Sequence, residues 1–219
     1  MKKLTAVVLS LLLVFLSVLQ YNVHADRVVH LGEIYYWYSD RNNIGRWLNS
    51  NLKLYCSKLN MSNDFDFDSY ITNGTSPWSN ALSISINGTS FINNGDMRCY
   101  GGTMYELMAV DSSFGTLDSS LNGKAVWNWT YEGEWLYVDT NNRVYEKSGY
   151  EMTYALIGII QKYGKTENEY TNTYMHELGH ALGYSGHSSY SSDIMYGYGS
   201  GVTVLSFRDK RFLSQIYNY

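Results

Sequence analysis

Apolar residues are distributed unevenly along the chain, and their spacing predicts several elements. Lys2 and Lys3 precede an apolar run from Leu4 to Leu19, and Ile34-Tyr35-Tyr36-Trp37-Tyr38 concentrates aromatics that favour a strand. Tyr70, Ile71, Trp78, Ala81 and Leu82 have helical spacing, with Gly74 and Pro77 inside the window. Either that helix is kinked, or it starts late with Ser76 as cap and Pro77 in its first turn. Ile84 and Ile86 alternate with Ser, and Met97 to Met104 carries Gly101-Gly102, which predicts strands or their ends. Aromatics alternate from Ala125 to Val138 around Glu132-Gly133-Glu134, the pattern of a hairpin, while Met152 to Ile160 fits a buried strand or a helix equally. Thr166-Glu167-Asn168-Glu169 has the form of a capping box, so a helix is expected from about Glu167 to Leu182, ended by Gly183. Ser206 to Asp209 repeats the capping pattern ahead of a stripe of Phe212, Leu213, Ile216 and Tyr217, which predicts a short terminal helix.

Composition narrows the class. With one Pro, 19 Gly, 22 Tyr and 6 Trp in 219 residues, 45% of them hydrophobic, the chain is neither collagen-like nor a charge-rich coiled coil, and its length suits one domain. The two lysines, the apolar run and Val23-His24-Ala25 before Asp26 have the three regions of a secretory signal, so residues 1–25 are expected to be removed and the mature protein to be secreted or held at the cell envelope. The remaining chain keeps 14 positive and 20 negative side chains, a net of -6. Nucleic acid is therefore not an expected partner, and neither is a membrane once the signal is gone. Cys56 and Cys99 are an even pair in an exported chain, which favours a disulfide, with two free thiols as the alternative.

The chemistry is concentrated in His176-Glu177-Leu178-Gly179-His180, inside the predicted helix. Histidines four apart lie on one face a turn apart, so both rings reach one ion, and Glu177 stands one step round, able to reach a water without binding the ion. An open catalytic zinc site needs a third protein ligand, and no Glu follows His180. His187, Asp193 and Asp209 are the available donors, and His187 is favoured because Gly183 and Gly186 permit the chain to reverse over the helix. Asp64, Asp66 and Asp68 alternate without EF-hand spacing, so a solvated acidic strand is the better reading and calcium has no support. Two other classes fit the same residues: a secreted binding or adhesion module that retains zinc without turnover, and a structural site closed by Asp193.

His176-Glu177-x-x-His180-x-x-Gly183, then His187, then Asp193-Ile194-Met195-Tyr196, resembles the metzincin zinc endopeptidases, most closely the matrixin-like group with its Met-turn. Leu205-Ser206-Phe207-Arg208-Asp209 is similar to the start of the closing helix of that group. The likeness covers roughly residues 167–219. It implies an α+β fold: a twisted mixed sheet with two long helices, an active-site helix and a short C-terminal helix, in a single catalytic domain over residues 26–219. It also implies a monomer that cleaves proteins or peptides, with one Zn2+ held by His176, His180 and His187, Glu177 as base, Met195 as an apolar floor and Asp209 supporting the Met-turn. The chain departs from the pattern in two ways. The third histidine of the family stands three residues after the glycine, here Gly186, whereas His187 is four after Gly183. The position two after the methionine, a tyrosine in some metzincins, is Gly197, so Tyr196 and Tyr198 are not assigned to metal. Arg98-Cys99 is a faint match to the zinc-blocking cysteine of matrixin proenzymes, and without the flanking proline self-blocking is not expected.

Overall fold

The structure is a computed structural model that describes residues 28–30, 43–59, 66–138 and 144–217. The signal region and the strand expected at 34–38 lie outside the described residues. Seven strands form one mixed sheet: β1 (Val28–His30), β2 (Asn43–Arg46), β3 (Asn51–Lys58), β4 (Ser85–Thr89), β5 (Met97–Gly102), β6 (Gly123–Val138) and β7 (Val144–Ile160). Their order is β1-β6-β7-β5-β3-β4, with β2 also pairing β7. All pairings are parallel except β6 with β7. Among the described residues there are also four α-helices: α1 (Phe67–Leu82), α2 (Met104–Val110), α3 (Glu167–Ala181) and α4 (Phe207–Tyr217). The expected α+β class, with two long helices and a short terminal one, is what the chain adopts.

Strand alternation divides the core in two. On one face Met97, Cys99, Ala155, Ile157 and Ile159 pack under α1 and α3; on the other Tyr100, Leu156 and Ile160 pack with Leu107 of α2 and Phe114. Period-2 burial on both faces is what a central strand covered by helices requires.

Four sequence expectations need correction. Of the two readings of the helix before β4, the late start at Ser76 is overturned: the helix runs through Gly74 and Pro77. It runs unbroken from an N-cap at Asp66, whose side chain accepts from the Ser69 amide at 3.1 Å, so Asp66 and Asp68 belong to a helix start rather than an acidic strand. Gly74 lets α1 cross α3 closely, since a Cβ there would fall 2.5 Å from Tyr174 Cδ1. Glu132-Gly133-Glu134 is not a turn but a bulge within β6, with a register shift between Tyr131 and Gly133 and Gly133 at φ +120°. The hairpin partner is β7, which settles the stretch 152–160 as strand. Finally, Cys56 and Cys99 are free thiols at paired positions on β3 and β5 rather than a disulfide. Both capping boxes are present: Thr166 with Glu169, and Ser206 with Asp209.

Candidate metal centre and cleft

Helix α3 carries the His176-Glu177-x-x-His180 segment and is fixed from several sides. The indole N–H groups of Trp78 and Trp47 donate to the carbonyls of Met175 at 2.9 Å and Ala181 at 2.8 Å, and Tyr217 Oη donates to Leu182 O at 2.7 Å. After the helix, Gly183 and Gly186 take φ of +108° and +81°, conformations that cost other residues dearly. These two left-handed residues absorb the extra residue and return His187 over α3. Gly183 could not be replaced in any case, since a Cβ there would lie 2.3 Å from Gly45 O.

The result is a convergence of three imidazoles. One nitrogen from each of His176, His180 and His187 lies within 4.8 Å of the others, and the His187 ring centroid is 5.1 Å from both partners. His176 Nδ1 donates to Ile194 O at 2.8 Å and His180 Nδ1 to Tyr184 O at 2.7 Å. A carbonyl only accepts, so these contacts put each proton on Nδ1 and leave each Nε2 with a bare lone pair. Those two Nε2 atoms face each other at 3.2 Å with no proton between them. Two nitrogens sharing a tetrahedral zinc at about 2.1 Å would sit about 3.4 Å apart. The donor set therefore fits a cation that prefers imidazole. Burial holds the rings neutral: it lowers His176 to about 4 and His180 to about 3, with mutual repulsion adding to it, and it lowers His187 as well.

Glu177 lies beside the triad and is 8% exposed. Burial pushes its carboxyl up to about 8, against the pull of the Ala125 backbone N–H and the Lys165 ammonium. Lys165 is itself lowered to about 8 by burial and by Lys162, and donates to Thr173 Oγ1 at 2.8 Å.

The segment from His187 to Met195 packs against α3. Met195 is fully buried against Gly179, where a Cβ would meet its sulfur at 2.4 Å. Asp209 accepts from the amides of Ile194 at 2.9 Å and Met195 at 3.2 Å, the supporting part the sequence assigned to it. Asp193 does not join the histidines. Its carboxylate is fully buried, accepts from Arg208 Nε at 2.8 Å and Nη2 at 2.6 Å, and accepts from Ser188 Oγ at 2.5 Å. Burial would raise its pKa, but Arg208, Ser188 and Ser206 outweigh that and lower it. Asp193 locks the loop, and neither it nor Asp209 is among the convergent donors. Cys99 is also outside the cluster, buried in the core of the sheet.

A cleft of about 500 Å³ opens over the three rings. Ser120 to Ala125 and Trp127 form one wall, Asn172, Thr173, His176, Glu177 and His180 the floor, and Gly186, His187 and Tyr196 to Gly199 the other wall. Trp127 lies nearly parallel to the His180 ring, centroids 6.3 Å apart. Gly197 packs against His187, with room for no more than a Cβ at 3.4 Å, and Tyr198 is largely exposed. Asn122, Trp127, Lys165 and Asn172 escaped the sequence reading. Asn172 alone carried a signal, being one helical turn before His176 on the same face.

No family model matches the chain, and no curated protein matches it. Among solved structures it is similar to myroilysin, with 14% identity over 80% of this chain and 96% of that one and a TM-score of 0.42.

Proposed function

We propose that the chain is a secreted zinc-dependent endopeptidase. One observation carries this: three imidazoles converge at the floor of an open cleft, two of them with facing lone pairs, beside a buried carboxylate. The Met-turn motif and its resemblance to metzincins support the same reading.

His176, His180 and His187 would hold the ion, and Zn2+ bound there would supply a Lewis acid for activating water and polarising an amide carbonyl. The chain's own residues do the rest. The Nδ1–H bonds to Ile194 and Tyr184 fix the tautomer and tilt of two rings. Beside a bound cation the Glu177 carboxyl, raised to about 8 by burial alone, would return toward its ionised form, and the carboxylate then takes a proton from the attacking water and passes it to the departing amine. From Gly123 to Gly133, β6 pairs only with β7 among the described residues, which leaves its other edge open beside the cleft. An extended peptide can hydrogen-bond to such an edge, and this orients the bond to be cut. The N-terminal segment sends the protein out of the cell, and the acidic charge of the mature chain turns it from nucleic acid toward protein substrates.

The test is cleavage of an unfolded protein by the zinc-loaded mature chain, with and without a chelator, alongside Glu177→Gln. We expect cleavage that the chelator stops, and a variant that retains one zinc but loses at least about 100-fold in rate. Full zinc occupancy with no cleavage of any unfolded protein would instead make this a binding module.

A further inference from the structure

The structure assigns to Asn122 the selection of one substrate side chain: we propose that the cleft beyond the histidines accepts a residue ending in a carboxamide. The proposal rests on the peptidase reading and names its substrate preference.

Besides the histidines, Glu177 and the tyrosines, five polar side chains line the cleft: Ser120, Asn122, Lys124, Asn172 and Thr173. Four of them are committed elsewhere. Lys124 Nζ donates to Phe114 O at 2.5 Å. Ser120 Oγ donates to Asp118. Thr173 Oγ1 accepts from Lys165 Nζ and donates to Glu169 O at 2.8 Å. Asn172, 4% exposed, donates to Val202 O at 2.8 Å and accepts from the Ser200 amide at 3.4 Å. Those bonds tie the segment after the Met-turn to α3 and set the position of the wall from Tyr196 to Gly199.

That wall closes against Asn122. A Cβ on Gly199 would lie 3.0 Å from Asn122 Nδ2, so the two sides of the cleft meet here. The half-buried Asn122 carboxamide has no hydrogen-bond partner among the described residues. It borders the cavity with its N–H donors and its acceptor left to solvent or to a ligand. Ala125 and Tyr198 line the same cleft and offer apolar surface to a substrate stem. A leucine reaching this depth would cover the amide and leave it dry. A glutamine offers a donor and an acceptor together and satisfies it.

A peptide library cleaved by the zinc-loaded enzyme, followed by matched peptides with Gln, Glu or Leu at the selective position, reads the preference. Gln should exceed Leu about tenfold in kcat/KM at one position flanking the cut, mainly through KM. Asn122→Leu should reverse that order and Asn122→Ala should level it. Calorimetric binding of the same peptides to the zinc-loaded Glu177→Gln protein gives a readout without turnover and should rank Gln above Leu. A wild-type preference for Leu at both flanking positions, or an unchanged Gln to Leu ratio in both Asn122 variants, overturns the proposal. Gln-selective binding without cleavage by the wild type would uphold the pocket and remove the peptidase reading, whereas binding without preference would remove the pocket alone.

Discussion

Gly179 sits between the two helical histidines, where a methyl group would collide with Met195 Sδ at 2.4 Å and Trp78 Cζ2 at 3.0 Å. Both neighbours are fully buried, so neither can retreat without repacking the core beneath the rings. Gly179→Ala should destabilise the fold by about 1 to 3 kcal/mol, read from urea denaturation, even though alanine favours helix. An unchanged midpoint would show that Met195 is not held against the helix as described. The histidines make a second prediction, for the metal-free protein. Burial first, then neighbouring charge, sets His176 at about 4 and His180 at about 3, against 6.5 in the unfolded chain. The unfolded state therefore binds more protons between those values, and folding stability rises with pH across that window. The contribution of the two histidines should be full above pH 6.5 and fall as the pH drops toward 4 and 3, while Glu177, raised to about 8, opposes it between 4.5 and 8, so the net fall is steepest below pH 4.5. A urea midpoint that did not change between those limits would contradict the burial of both rings.

Among elements, the loop between α3 and α4 has the most to lose. Asp193 holds Ser188 and Arg208, and Arg208 lies over the Tyr190 ring at 4.0 Å, so one carboxylate fastens the loop that carries His187 and Met195. Arg208 is 37% exposed, which softens the penalty for stranding its charge. Asp193→Ala should cost about 1 to 3 kcal/mol while zinc still binds at one per chain when saturating. Metal loss at saturation would make Asp193 a ligand after all. The helices capped at Thr166 and Ser206 and the site of His187 were legible from sequence because caps, glycines and helix periodicity act over a few residues, whereas the Asp66 cap of α1 and the Thr103–Glu106 capping box of α2 went unread. The β6–β7 pairing was not, because Gly133 marks a turn and a bulge by the same left-handed freedom. Gly74 and Pro77 likewise left a continuous helix and a late start equally open, and only the crossing with Tyr174 shows why α1 tolerates its glycine. Nothing near Asn172 announces that its partner is the carbonyl of Val202, 30 residues on.

At the scale of the molecule, the sheet supplies a β6 segment that pairs only with β7 among the described residues, α3 supplies two rings and a carboxylate, and the following loop supplies the third ring and Met195. These parts come from distant stretches of chain and meet around one cleft. Among the described residues no helix is long and apolar enough to cross a membrane. The account depends on one ion shared by three imidazoles with a position left for solvent. X-ray absorption on the zinc-loaded protein measures this directly. It should show three imidazole nitrogens and one further light-atom ligand at a tetrahedral zinc, falling to two imidazoles in His187→Ala. Sulfur in the coordination shell, or a spectrum that His187→Ala leaves unchanged, would contradict it.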